Sequence, residues 1–155
     1  DCMKTKMNIL GVAPFIAIPT IVYLIITIIL SFTNKPFFDI TEKSYEILIV
    51  LGIVLILIGI LMVISCGRKL LKSFNSGLLM TDGLYKIFRN PMYAAYMLLI
   101  FPGIGLLFNS WLVLTTVPLN YILLSIFIQR EYRYLKEKFG VEYELYLKKV
   151  LIKFL

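Results

Sequence analysis

Four apolar runs, at residues 7–32, 45–66, 92–108 and 111–128, leave this chain of 155 residues few folds to choose from. Between them they carry one charged residue, Glu46. Each is near the roughly 20 residues that cross a hydrocarbon core as a helix. Inside a bilayer no water satisfies backbone N–H and C=O groups, so such runs must be α-helical. The fold class expected is therefore all-α: a polytopic membrane protein with about four transmembrane helices in a single domain over residues 1–155. Composition agrees, since 60% of the residues are hydrophobic and 16% charged, against about half and a quarter in soluble domains.

The cations set the topology. Four spans put the N-terminus, the segment 67–91 and the tail on one side, and fourteen of the sixteen Lys and Arg residues fall there, leaving Lys35 and Lys43 opposite. By the positive-inside rule both termini are cytoplasmic, in a bacterial inner membrane or the endoplasmic reticulum. The net charge of +7 is spread between apolar runs and builds no groove for nucleic acid. With no histidine and two cysteines, no zinc pattern can be assembled, and no metal is expected. Lys4 and Lys6 ahead of the first run imitate a secretion signal, but no small-residue cleavage site follows, so the run is expected to be retained. Asp1 and Cys2 are expected to precede the natural start, at Met3 or Met7. Pro14 and Pro19 mark a kink in the first span, and Gly52 and Gly59, seven residues apart, mark a packing face on the second. The second span is expected to end at Cys66, followed by a basic, then small and polar, stretch. Asn109 and Ser110 form the tip of a tight hairpin between the last two spans.

The densest chemistry lies in residues 81–96, where a polar stretch passes directly into an apolar helix. Gly83 permits a turn. Asn90 is expected to cap a helix through its side chain, with Pro91 at the first helical position. Tyr85, Arg89, Asn90, Tyr93 and Tyr96 crowd this entrance. Singly they are a cap, a headgroup cation and interface aromatics; their concentration points to a site. The tail, 129–155, reads as two amphipathic helices broken at Gly140, with Leu135, Phe139, Val141, Leu145, Val150, Leu151 and Phe154 on apolar faces. Glu137, Glu142 and Glu144 each have a cation three or four residues away (Arg133, Lys138 and Lys148), but Glu131 has Phe127, Ile128, Tyr134 and Leu135. A carboxylate among apolar neighbours at the end of a span needs a partner from elsewhere, either Arg89 or a ligand.

Residues 79–85 (Leu-Met-Thr-Asp-Gly-Leu-Tyr), the run Arg89-Asn90-Pro91-Met92-Tyr93, and Glu131 with Leu135, Phe139-Gly140, Tyr143, Tyr146 and Val150 occur in an order that resembles the isoprenylcysteine carboxyl methyltransferase and phospholipid methyltransferase superfamily. The resemblance covers residues 77–150. It implies a S-adenosylmethionine site on the cytoplasmic side, between the last spans and the tail helices. Carried over by position, Leu79, Met80, Tyr85 and Asn90 would line that site, Glu131 would hold a polar part of the cofactor, and Gly103 and Gly105 resemble the Gly-x-Gly element of the phospholipid enzymes. Two departures stand out: Asn90 where the family often has histidine, and Tyr132 where it usually has a second glutamate. The substrate-positioning arginine of the isoprenylcysteine enzymes falls at Phe127.

The expected function is thus S-adenosylmethionine-dependent methyl transfer to a lipophilic substrate drawn from the bilayer. Arg89 and Glu131 are the catalytic candidates. The N-terminus of the Pro91 helix with Arg89 or Asn90 would meet the cofactor carboxylate, and Tyr85 and Tyr93 its sulfonium. A carboxylate acceptor is already ionised at neutral pH and needs no base, whereas an ammonium must lose a proton first, so the absence of histidine leans toward O-methylation. The alternatives are N-methylation of a phospholipid or small lipophile, a sterol-reductase-like enzyme using NADPH, and a membrane protein without catalysis. Titration with the two cofactors separates them.

Overall fold

The structure, a computed structural model, describes residues 12–42 and 45–153, without the side chains of 74–76. Helix α1 spans Ala13–Thr33, α2 Tyr45–Ser76, α3 Pro91–Ala95, α4 Phe101–Leu107, α5 Trp111–Leu114 and α6 Thr116–Lys149; a single π-helical turn, Tyr96–Ile100, joins α3 to α4. Among the described residues there is no strand, only isolated bridges. The chain is all-α, as expected. Three helical stretches, Ala13–Thr33, Tyr45–Ser73 and Trp111–Lys149, are long and apolar enough to cross a bilayer, while Pro91–Leu107 is apolar but shorter. The expected start of the chain, and residues 7–11 of the first run, lie outside the described residues.

The π turn has a local cause. Pro102 has no N–H to give and its ring would strike the carbonyl four residues back, so the helix widens by one residue just ahead of it. Gly67 does not end α2. The helix continues through the basic stretch to Ser76 and stops where Gly77 takes the left-handed conformation, φ 69°. At about 1.5 Å per residue, its 32 residues exceed the roughly 30 Å hydrocarbon core. Its basic end, from Arg68 onward, therefore projects beyond the apolar layer. The last span also runs on without a break into the tail: α6 is continuous to Gly140, whose φ of 49° interrupts the helix where the sequence predicts. Residues 111–128 carry the apolar, charge-free part.

Two helix pairs build the body, each with its own adhesive. α2 lies antiparallel to α3–α4 through glycines: a Cβ at Gly52 would stand 2.7 Å from the Gly103 carbonyl oxygen, and one at Gly103 2.8 Å from that of Gly52. α1 lies antiparallel to α5–α6 through hydroxyls and an amide. Ser31 and Ser110 share a 2.6 Å hydrogen bond, Tyr23 and Thr115 one of 2.8 Å, and Asn120 Nδ2 donates to Thr20 Oγ1 at 2.9 Å. Between helices in lipid there is little hydrophobic driving force, so close backbone approach and interhelical hydrogen bonds, of about 0.6 kcal/mol each, select the register. α1 and α2 barely meet each other. Their outer faces, such as Ile18, Val22 and Ile29 on α1 and Ile47, Val50 and Leu57 on α2, are exposed apolar surface.

The hairpin tips define the two ends of the molecule. At one end Tyr45 donates to the Leu107 carbonyl, Asn109 takes a left-handed φ of 50°, and its amide exchanges hydrogen bonds with the Thr41 backbone. Ser110 caps α5 by accepting from the Val113 N–H. At the other end gather the start of α1, the segment 77–90 and the tail. Among the described cations, Lys35 alone belongs to the first end. The last residues depart from expectation: Val150 leaves the helix with extended backbone, and residues 151–152 pair with the loop before α3. Leu151 N–H donates to Lys86, Ile152 N–H to Ile87, and Arg89 N–H to Ile152. Val150 is buried with Tyr143 and Tyr146, whereas Val141, Leu145 and Leu151 are exposed; Phe154 lies outside the described residues.

The glycine contacts give an expected outcome. Gly52→Ala drives a methyl into backbone that cannot retreat and costs about 1–3 kcal/mol, whereas Gly67→Ala, with open space around it, gains up to about 1 kcal/mol from helix propensity. Thermal unfolding of the detergent-solubilised variants checks both signs.

Candidate active site

The segment between α2 and α3 is held from three sides. A 3₁₀ turn, Gly83–Lys86, opens on Gly83 at φ 66°, and a Cβ there would collide with the Lys69 ammonium. Tyr146 donates from its hydroxyl to the Tyr85 carbonyl at 2.8 Å, and the tail pairs with residues 86–89. α3 then begins at Pro91, as the sequence predicts. Asn90 does not cap it through its side chain. Its backbone carbonyl accepts from the Ala94 N–H, and its Nδ2 donates instead to the Tyr132 hydroxyl on α6.

Arg89 is the hinge of the arrangement. Its guanidinium lies 3.2 Å from the centre of the Tyr132 ring and donates through Nε (3.1 Å) and a terminal nitrogen (2.6 Å) to the Tyr143 hydroxyl. A cation stacked on an aromatic face and anchored by two hydrogen bonds is fixed in direction yet keeps donors to spare. Burial pushes the Tyr143 phenol up, and that of Tyr146 up to about 12, so both stay protonated at neutral pH. Burial moves the Tyr85 phenol in the same direction.

Glu131, just beyond the apolar part of α6, makes no hydrogen bond or salt bridge among the described residues. Burial raises its carboxyl above the usual carboxylate range, and the Arg89 charge offsets only part of that rise. The intrahelical partner expected for Glu144 also changes: it meets Lys136 at 3.1 Å across the Gly140 break. Phe127 stacks on Phe15 with ring centres 5.8 Å apart, a packing contact.

A cavity of about 630 Å³ lies between the two helix pairs. Its polar end is walled by Tyr85, Arg89, Asn90, Glu131, Tyr143 and Tyr146, its flank by Leu79, Met80, Leu135 and Phe139, and its apolar end by Ile16, Thr20, Leu24, Ile104 and Asn120. Arg89, Glu131, Leu79, Met80, Tyr85, Asn90 and Tyr93 all line it. Gly103 and Gly105 do not. Gly103 is pressed against Gly52 and Ile56, and Gly105 against Leu114, so their missing side chains serve helix packing. Sequence reasoning passed over Thr20 and Asn120, although polar side chains inside apolar runs are the signal that should draw attention. It also read Tyr132 only as a lost carboxylate. Tyr132 carries Arg89 on its ring and bonds Asn90, so the two departures from the family pattern touch each other.

The side chains suit a zwitterionic sulfonium cofactor: an unpaired carboxylate for an ammonium or ribose hydroxyls, residual donors on Arg89 and Asn90 for a carboxylate, aromatic faces for a sulfonium, and an apolar flank for a base. Among the described residues no group of three or more His, Cys, Asp or Glu is placed to hold a metal ion. A phospholipid methyltransferase family model matches residues 47–142, from the second helix to just past Gly140. No curated protein and no solved structure matches the chain. The match takes in most of the cavity wall but leaves out α1, and it shows that the chain belongs to the phospholipid methyltransferase family of S-adenosylmethionine-dependent membrane enzymes, within the superfamily that also holds the isoprenylcysteine carboxyl methyltransferases.

Proposed function

We propose that the protein O-methylates a lipophilic carboxylate that enters from the bilayer, with S-adenosylmethionine held between Glu131 and the Tyr85–Tyr93 strip. The observation that carries this reading is one continuous cavity: its polar end is lined by the residues carried over from the family's cofactor site by resemblance, and it continues among the spans to Thr20 and Asn120. Bound there, the cofactor supplies an electrophilic methyl group on sulfur. Glu131 pairs with its ammonium or ribose, and Leu79, Met80, Leu135 and Phe139 enclose its base. Asn90 meets the cofactor carboxylate, which leaves Arg89, aimed by Tyr132 and Tyr143, to hold an acceptor carboxylate with its remaining donors. Positioning is then the main catalytic contribution. Burial keeps the protons on Tyr85, Tyr143 and Tyr146 at neutral pH, and Glu131 is engaged by the cofactor, so these groups supply no base, although the wall also carries Lys138. A carboxylate needs none.

A second reading, N-methylation of a phospholipid amine, is favoured by the family's name and by the raised carboxyl of Glu131, which would make it a better proton acceptor. Incubation in nanodiscs with methyl-tritiated S-adenosylmethionine decides between them: methyl esters release volatile label in mild base, N-methyl groups do not. The positive-inside asymmetry supports placing the polar end of the cavity, the segment 67–91 and both termini in the cytoplasm, and the four-span topology goes with it. A cysteine-labelling map from each side of the membrane tests that placement.

Glu131→Gln keeps the fold, measured by circular dichroism, and weakens S-adenosylmethionine binding by about 10-fold or more in calorimetric titration, the worth of one charge-assisted hydrogen bond. Because burial raises the Glu131 carboxyl, cofactor binding is full above that raised value and falls away as pH drops through it, at a higher pH than an ordinary carboxylate would give. The Gln variant loses this acid limb. The Asn90–Tyr132 contact yields a separate expectation. Asn90→His and Tyr132→Glu each impair cofactor binding, while the double variant recovers part of the loss, with a coupling of about 1–3 kcal/mol; additive losses would mean that the two positions act independently.

A further inference from the structure

Asn120 is a polar side chain with more hydrogen-bonding capacity than the fold uses. It sits in the second turn of α6, 4% exposed, on the apolar end of the cavity wall. Thr20 donates its hydroxyl to the Ile16 carbonyl at 2.7 Å, so it can only accept from Asn120, and it does, from Nδ2 at 2.9 Å. That fixes the orientation of the amide and leaves Oδ1, itself enclosed, with no partner among the described residues. A buried acceptor without a partner is costly, and a serine or threonine at this position could hold Thr20 without leaving a strong acceptor over. Joining α1 to α6 therefore explains half of the carboxamide. Neither half belongs to the cofactor end: Glu131 lies eleven residues further on, about 16 Å along the helix axis. The partner residue Thr20 sits on α1, outside the part of the chain that matches the family.

We propose that Asn120 Oδ1 reads the methyl acceptor, accepting a hydrogen bond from an O–H or N–H carried on its lipophilic part, remote from the methylated group. The substrate class is then a lipophile with two polar points: the nucleophile at the polar end of the cavity, where Arg89 and Glu131 stand, and a donor near Asn120, which lies roughly 16 Å from Glu131 along α6, a span suited to a dodecyl chain. A purely hydrocarbon tail leaves Oδ1 unpaired and is discriminated against. The inference rests on the reading of the cavity as the acceptor site, but its test does not require turnover.

Equilibrium binding to the full-length protein in nanodiscs, corrected with empty nanodiscs, compares dodecanoic acid, ω-hydroxydodecanoic acid and ω-methoxydodecanoic acid. The hydroxy acid is expected to bind about fivefold or more tighter than the other two, as one neutral hydrogen bond to an otherwise unpaired acceptor allows; the methoxy acid, polar but unable to donate, behaves as the plain acid. Asn120→Leu erases the preference. Thr20→Val breaks the same interhelical bond, leaves the carboxamide in place and keeps the preference, so a packing defect is told apart from loss of the acceptor. Equal binding of the three acids, or a preference that survives Asn120→Leu, overturns the proposal. If the leucine variant does not fold, the hydroxy-to-methoxy ratio in the wild type still decides. S-adenosylmethionine binding is measured on the same samples. Its presence without hydroxyl preference removes this inference and leaves the methyltransferase reading standing; hydroxyl preference without cofactor binding supports this inference and removes that reading.

Discussion

The Arg89 guanidinium, laid on the ring of Tyr132 and bonded to Tyr143, is the contact on which the cytoplasm-proposed end of the molecule depends. It ties the segment before α3 to both halves of the tail across the Gly140 break. Without it the loop would be secured by the short backbone pairing of residues 86–89 with 151–152 and by the single Tyr146–Tyr85 and Asn90–Tyr132 hydrogen bonds. A stacked arginine costs little desolvation because its edge donors remain free, which is why the same residue can hold the tail and still face the cavity. The site is built where two elements far apart in sequence are locked by aromatic side chains.

The rest of the architecture opens space behind that lock. Glycines let α2 and α3–α4 approach to backbone contact, and hydroxyls and one carboxamide hold α1 against α5–α6. Since the two pairs use separate adhesives and α1 scarcely meets α2, a gap between them costs no packing that either pair requires. The cavity occupies that gap and runs from charged groups at one end to hydrocarbon at the other. Such a gradient fits a reaction between a water-soluble donor and a lipid.

Much of this was legible beforehand, for physical reasons that differ by residue. The helix start at Pro91 and the break at Gly140 follow from local backbone chemistry, and both stand. The isolation of Glu131 followed from counting neighbours on a helix face, and the structure places it on the cavity wall beside Arg89. What escaped depended on tertiary contacts. The second apolar run stops at Cys66, but nothing crowds Gly67 and α2 passes through into the basic stretch. Asn90 looked like a cap, but the Tyr132 hydroxyl takes its amide. Gly103 and Gly105 looked like a cofactor element and prove to be packing positions, because a missing side chain reads the same in sequence whether it admits a ligand or another helix. The π turn before Pro102 and the extended pairing of residues 151–152 have no periodic signature at all.

The central claim is that residues 79–93 and 131–143 enclose one nucleotide site. Ultraviolet cross-linking of methyl-tritiated S-adenosylmethionine to the protein in nanodiscs, followed by peptide mapping, tests it most directly. Label on peptides from both stretches, displaced by S-adenosylhomocysteine, is the predicted result. Label confined to one stretch, or found at the opposite end around residues 37–41 and 107–111, would contradict the account.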